Sequence, residues 1–309
     1  MSDFALIGDG GWGRALAGRL STNGHTVKLV GLAASRRKLP PRISFSTDVR
    51  ATLADHEAVI LAVPVGTLGV LLQANASAFE GHHRVATTAR GLASGAVPQR
   101  ASELLAALTC VRQTAVLAGA ADAVALESGA PAALVVGSAF PSWAKELQTA
   151  LAGPSLRIYT NEDPIGVELS NALAAVLAVA LGIARALGVG ATTEATALTR
   201  ALAEMDRLVI RLGGKPGTAH GLAGLGVLAD LALSADGAAF SAAAALSRGD
   251  LATAQGFVEL ADAARNLAAR AATVGVRTPM LDAIVAMFAG KLGAADAMTG
   301  LMSRASRTE

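Results

Sequence analysis

The feature that most limits what this chain can fold into is its start, Phe4-Ala5-Leu6-Ile7-Gly8-Asp9-Gly10-Gly11-Trp12-Gly13-Arg14-Ala15-Leu16-Ala17. A short apolar run reads as a strand, breaks into Gly8-x-Gly10-x-x-Gly13, and gives way to an Ala/Leu-rich helix pattern. In that setting each glycine has a physical reason. Gly8 permits a tight turn, Gly10 lets the backbone approach a pyrophosphate, and Gly13 lets helix pack closely on strand. The unpaired N–H groups and positive dipole end of the following helix favour a bound anion. The pattern predicts a dinucleotide and leaves the chemistry open.

His25-Thr26-Val27-Lys28-Leu29-Val30 then reads as a second strand, completing a β-α-β unit. A dinucleotide fold ordinarily sets an Asp or Glu near here, roughly 20 residues on, to hold the ribose 2′-hydroxyl. This strand runs instead into Gly31-Leu32-Ala33-Ala34-Ser35-Arg36-Arg37-Lys38, which has no acid and three cations. An acid would repel a 2′-phosphate and an arginine would hold it, so Arg36 and Arg37 favour NADP(H) over NAD(H). A solvated basic loop has the same composition.

Arg42-Ile43-Ser44-Phe45 reads as a short strand and Thr52 to Glu57 as a short helix or turn. Ala58 to Pro64 is a continuous apolar strand of the kind buried in parallel sheets, ended by Pro64 at the carboxyl edge where such sheets bind ligands. Strands follow at Arg84 to Thr88, Thr114 to Leu117, Ala133 to Gly137 and Leu156 to Tyr159, with helical stretches between. The alternation predicts an α/β fold, an N-terminal Rossmann-type doubly wound parallel sheet.

Near residue 160 the pattern changes. Asp163-Pro164 is a good helix start, and the chain is apolar nearly all round from Ile165 to Leu187, with Gly188 as a stop. Such a helix belongs in the middle of a helical domain. Helices are expected at Glu194 to Leu212, Ala223 to Leu233, Thr253 to Val274, Pro279 to Ala289 and Ala294 to Met302. The expected domains are therefore 1–160, binding a dinucleotide, and 161–309, an all-α C-terminal domain for substrate and dimer contacts.

Composition narrows the function classes. Apolar residues make up 52% with only 3% aromatic, which suits closely packed alanine-rich helices. A net charge of +2, without a basic run interleaved with aromatics, gives no reason to expect nucleic acid. Cys110 is the single cysteine, so neither a disulfide framework nor a cysteine metal site is possible. The longest apolar run, Ala172 to Ala184, is 13 residues, short of the roughly 18 to 20 of a membrane span. With no basic-then-apolar leader pattern, a cytoplasmic protein is expected.

Several segments taken together carry a resemblance: Gly8 to Gly13, Asp163-Pro164-Ile165-Gly166-Val167-Glu168-Leu169, Thr199-Arg200-Ala201-Leu202-Ala203-Glu204-Met205, Gly213-Gly214-Lys215-Pro216, Gly221 to Gly226, and Thr278-Pro279-Met280. In these the chain resembles the bacterial-type NAD(P)-dependent glycerol-3-phosphate dehydrogenases along almost its whole length. The resemblance implies a homodimer and hydride transfer between dihydroxyacetone phosphate and glycerol 3-phosphate. It also puts Gly11, Trp12, Pro64, Ala123 and Glu259 beside the dinucleotide.

The chain departs from this family at its chemistry. One family lysine corresponds to Arg90, in Ala89-Arg90-Gly91-Leu92, and the other to Ala174, in Ser170-Asn171-Ala172-Leu173-Ala174-Ala175. Arginine can hold a phosphate bidentately, but its pKa above about 12 bars it from shuttling a proton. Alanine has no acid–base capacity. Gly119-Ala120-Ala121-Asp122-Ala123, Gly226-Val227-Leu228 and Gly237-Ala238-Ala239 stand where the family has a closing loop, a lysine-supporting Asp, and a phosphate grip.

Arg90 and Asn171 remain as the catalytic candidates. Asn171 lies three residues before Ala174 on the same helical face, where its amide can donate to a carbonyl or oxyanion or bond locally instead. Arg200 and Lys215 read equally as surface charges, and His220 as a packed or partly exposed ring. No residue cluster has metal-ligand spacing. Two readings stand: an NAD(P)-dependent oxidoreductase with weak parent activity or an altered small carbonyl substrate, and a non-catalytic NADP(H)-binding sensor or partner protein.

Overall fold

The structure, a computed structural model, describes residues 2–31, 39–234 and 237–302. It divides into two compact units: Met1–Ala93 with Gln99–Glu168, and Ser94–Pro98 with Leu169–Glu309. The first holds strands β1 (Asp3–Ile7), β2 (Thr26–Val30), β3 (Ile43–Ser46), β4 (Ala58–Leu61), β5 (Arg84–Thr87), β6 (Gln113–Ala118), β7 (Ala132–Gly137) and β8 (Leu156–Asn161). Its helices are α1 (Gly11–Thr22), α2 (Val49–Asp55), α3 (Val65–Asn75), α4 (Ala101–Leu108), α5 (Ala123–Ser128) and α6 (Pro141–Leu151).

One sheet contains all eight strands in the order β3-β2-β1-β4-β5-β6-β7-β8. The order reverses between β2 and β4 on either side of β1, the crevice where doubly wound sheets take ligands. Apolar side chains fill both faces. Phe4, Leu6, Leu16, Leu20, Ile60 and Trp143 belong to one layer, and Ile7, Val59, Leu61, Leu68 and Val85 to the other. Every residue of β4 is buried, which is why its sequence shows no polar alternation.

The sheet is not wholly parallel. Pairs from β3 through β6 are parallel, but β7 runs antiparallel to β6, with Val116 opposite Gly137, and β8 is parallel to β7. The sheet is mostly parallel as expected, and because an apolar run records burial and not direction, the sequence does not show the one reversal at β7. Gly119 helps the chain make it: at φ 137° it lies so close to β7 that a Cβ would fall 2.8 Å from the Ala133 oxygen.

Helix α7 (Pro164–Ala186) starts as the sequence predicts. The Asp163 carboxylate accepts a hydrogen bond from the Gly166 N–H at 2.9 Å, and Pro164 fills the first helical position. The helix is long and apolar enough to cross a membrane by length and composition alone. Its apolar window is 94% buried, however, as in the core helix of a folded domain.

The second unit continues with α8 (Ala191–Arg211), α9 (Val227–Leu233), α10 (Ala238–Ser247), α11 (Leu251–Gln255), α12 (Val258–Thr273), α13 (Pro279–Phe288) and α14 (Ala294–Met302). Alanine and glycine set its spacing. A Cβ on Gly182 would come within 2.7 Å of the Ala243 Cβ, so α7 and α10 pack almost backbone to backbone. The single helix expected from Thr253 to Val274 is two. Asp250 caps α11 by accepting from Thr253 N–H at 3.1 Å, and Gly256-Phe257 breaks the run before α12. The sequence carries no period for helix α10, because Ala238-Ala239-Phe240-Ser241-Ala242-Ala243-Ala244-Ala245-Leu246 has no continuous polar face. A π-helical turn at Leu222–Gly226 stands where α9 was expected to begin.

Two of the sequence segments quoted above meet here. The buried Glu204 carboxylate accepts the N–H groups of Met280 at 3.0 Å and Leu281 at 2.9 Å, capping α13 from outside. Burial raises the Glu204 carboxyl above the ordinary glutamate range, with those two N–H groups opposing the shift. The folded state thus keeps this proton to higher pH than the unfolded chain, and stability falls as pH climbs from the unfolded toward the folded value. Glu204→Ala strands two buried donors and is expected to cost about 2–4 kcal/mol in chemical denaturation, against about 1 for Glu204→Gln. The Gln variant should also lose this residue's share of the pH slope.

Candidate functional site

The carboxyl edge of β1, β4 and β5 gathers most of the residues singled out in the first unit. Gly8 sits at φ 120°, its N–H donating to the Val30 oxygen at 2.9 Å. A Cβ there would overlap the Ala62 carbonyl and lie 2.7 Å from its carbon. At Gly13 a Cβ would overlap the Gly8 oxygen and approach Leu6 at 3.1 Å. These two glycines are demanded by the chain's own packing.

Gly10 is different. It caps α1 with φ −65° and ψ 175°, a conformation open to any residue, and a Cβ on it would meet nothing within 4 Å. Protein packing gives no reason for a glycine here, whereas close approach of a phosphate does. The exposed Gly10 and Gly11 present the open end of α1, and the half-buried Trp12 packs on the sheet core. The cradle therefore fits a dinucleotide pyrophosphate.

Pro64 follows β4 and caps α3, its oxygen accepting from Thr67 N–H at 3.1 Å and Leu68 N–H at 3.2 Å. Ala123 opens α5, whose cap Asp122 accepts from Ala125 N–H at 2.6 Å. The Ala123 Cβ lies 3.5 Å from where a Gly11 Cβ would stand, so α5 walls the glycine loop. Arg90 is exposed beyond β5, just before Gly91 at φ 101°.

Asp9, between the first two glycines of the motif, makes contacts that the motif does not signal. Its Oδ2 accepts from Arg14 Nη2 at 3.3 Å, and its backbone oxygen accepts from Arg14 Nε at 2.8 Å. Its side chain lies over Gly31, where a Cβ would stand 2.6 Å from Oδ2. The signal was a glycine at the end of β2, which leaves a side-chain space for another residue to fill.

Models of the NAD-dependent glycerol-3-phosphate dehydrogenases match this chain at residues 33–144 for the N-terminal part and 163–299 for the C-terminal part. A glycerol-3-phosphate dehydrogenase (NAD(P)+) of Deinococcus radiodurans is 35% identical, with 100% of this chain and 97% of that protein aligned. One from Sphingopyxis alaskensis is 32% identical over 99% of this chain and 98% of its own length. The chain belongs to the glycerol-3-phosphate dehydrogenase family. A crystal structure of glycerol-3-phosphate dehydrogenase from Coxiella burnetii shares the fold with a TM-score of 0.88 at 26% identity, covering 98% of this chain and 99% of that one.

The remaining family-like positions lie in the second unit. Asn171 is 3% exposed on α7, with an Oδ1 that is buried and unpartnered among the described residues, as is the neighbouring Ser170 Oγ. Ala174 is fully buried. Glu259 is exposed in the first turn of α12. Arg200 lines an apolar cavity of about 260 Å³ together with Met280, Ile284 and Met298. Lys215 and His220 are exposed, and the His220 ring lies 3.7 Å from Asp206. Arg36 and Arg37 fall outside the described residues. No group of His, Cys, Asp or Glu among the described residues has metal-site geometry.

One buried charge in the family segment serves the fold. Glu168 accepts from Arg100 Nη1 at 3.1 Å, Ser102 N–H at 3.1 Å and Ser102 Oγ at 2.5 Å. Burial raises its carboxyl, with Arg100 and Ser102 opposing. Both oxygens of this buried carboxylate are engaged by Arg100 and Ser102, so it locks the start of α4.

Proposed function

We propose that this chain binds NADP(H) in preference to NAD(H) at the glycine loop and transfers hydride to a small carbonyl compound. In this reading dihydroxyacetone phosphate is turned over weakly, or another carbonyl is the main substrate. The observation that carries the binding half is Gly10, a glycine no protein contact requires, at the open end of α1 in the loop that Gly8 and Gly13 shape and Ala123 walls at Gly11. Relatives 32–35% identical over nearly the whole chain and named glycerol-3-phosphate dehydrogenase (NAD(P)+) support the cofactor class and the reaction type.

The catalytic half rests on what stands at the two lysine positions. Reducing a ketone needs a positioned carbonyl and a proton for the developing alkoxide, with the hydride supplied by the bound nicotinamide. Arg90 can clamp an anionic substrate group and Asn171 can donate a hydrogen bond, but neither gives up a proton near neutrality. A solvent-derived proton then limits the rate. NADPH oxidation should therefore be measured against a panel of carbonyl compounds that includes dihydroxyacetone phosphate. Turnover of at least one, lost in Arg90→Ala or Asn171→Ala, is expected. Tight NADPH binding with no oxidation across the panel would leave the non-catalytic sensor as the better reading.

The NADP preference rests on Arg36 and Arg37. Replacing both with Ala should weaken NADPH by about tenfold in calorimetry and leave NADH unchanged. Equal affinities of the unaltered protein for the two cofactors would overturn the preference. The homodimer belongs to the same reading, and sedimentation equilibrium checks it.

A further inference from the structure

In a dinucleotide-binding sheet, the residue at the carboxyl end of the second strand carries the acid that reads the adenosine ribose. In this chain that residue is Gly31, whose N–H donates to the Ser46 oxygen at 3.1 Å. It has no side chain, but the space one would occupy is filled. A Cβ on Gly31 would lie 2.6 Å from Asp9 Oδ2 and 2.8 Å from the Asp9 Cβ. A carboxylate therefore stands at the end of β2 after all, delivered from the loop after β1 instead of from β2 itself.

Its setting favours a working acid. The Asp9 side chain is 28% exposed, neither sealed in the core nor loose in solvent. Arg14, one turn into α1, grips both its backbone oxygen and Oδ2. Oδ1 takes no hydrogen bond among the described residues. A Cβ at position 31 would have to displace the Asp9 side chain, so the two side chains compete for one space.

We infer that Asp9 is the ribose-reading acid of this chain, holding the 2′-hydroxyl of NAD(H) through the place residue 31 would otherwise fill. The inference rests on the dinucleotide reading of the glycine loop and adds a specificity determinant to it. Asp9 opposes a 2′-phosphate by charge, so it works against the NADP(H) preference proposed above and draws the cofactor ratio toward NAD(H).

Calorimetry with NADH and NADPH at one fixed ionic strength tests this on the unaltered protein, Asp9→Asn, Asp9→Gly and the double variant Asp9→Gly/Gly31→Asp. Asn keeps an acceptor for Arg14, so the loop contact persists while the charge is lost. Asp9→Asn is expected to weaken NADH by about tenfold and to tighten NADPH, shifting their ratio by more than tenfold. Moving the acid to position 31 should return the ratio toward that of the unaltered protein, because the two side chains claim one space. A purely structural Asp9 would weaken both cofactors alike; an unchanged ratio in Asp9→Asn and Asp9→Gly overturns the inference. An unaltered protein that binds neither cofactor overturns the glycine-loop reading itself, and this inference with it.

Discussion

Gly10→Val is expected to leave the protein folded and to weaken NAD(P)H binding by about a hundredfold, whereas Gly13→Val is expected to break the fold of the first unit. Valine at Gly10 meets no protein atom at its Cβ and keeps the same backbone conformation. Its cost in denaturation should stay within about 1 kcal/mol, the order of a helix-cap change. The same side chain stands where a pyrophosphate must approach, so the loss falls on binding. At Gly13 the order of effects is reversed. The Cβ would overlap the Gly8 oxygen, and the only relief is to push α1 away from β1, uncovering Leu16 and Leu20. Paired calorimetry and thermal denaturation separate the two. Near-native affinity in Gly10→Val would mean that no phosphate comes close to this loop.

The contrast between these glycines marks how far the sequence could be read. The strand–loop–helix start, the buried β4 and the Asp163-Pro164 helix start all depend on local chemistry, and each begins where the pattern placed it, although β4 ends at Leu61 and not at Pro64. The reversed β7, the break at Gly256-Phe257 and helix α10 depend on partners distant in sequence or on faces with no polar contrast, and a one-dimensional pattern does not record those.

The site divides in the same way. Gly8 and Gly13 are legible because a turn and a close approach each require a residue type, whereas Pro64, read as a strand end, caps α3 three residues after β4 ends at Leu61. Asp9 is not, because its meaning lies in its nearness to Gly31, 22 residues on, and an acid in the middle of a glycine motif carries no pattern of its own. Glu204 is similar: only the fold shows that it caps α13 across 76 residues.

Restoring the family lysines by Arg90→Lys and Ala174→Lys should raise the rate of dihydroxyacetone phosphate reduction by roughly 10²–10⁴, the range a positioned proton donor supplies. Ala174 is fully buried on α7, so a lysine there loses hydration unless a carboxylate answers it. Desolvation alone lowers the lysine's pKa toward neutrality, which suits proton transfer but destabilises the fold. Val227, also buried, stands where the family resemblance puts a supporting Asp. The triple variant with Val227→Asp should therefore recover stability lost in the double variant, a coupling that a double-mutant cycle on positions 174 and 227 measures directly. Thermal denaturation and NADPH oxidation must be read together. If the triple variant is as stable as the unaltered protein and reduces dihydroxyacetone phosphate no faster, the missing lysines do not limit this chain's chemistry. A changed substrate pocket would then be the barrier. If rate and stability rise together, Arg90 and Ala174 are what separate this chain from the parent reaction.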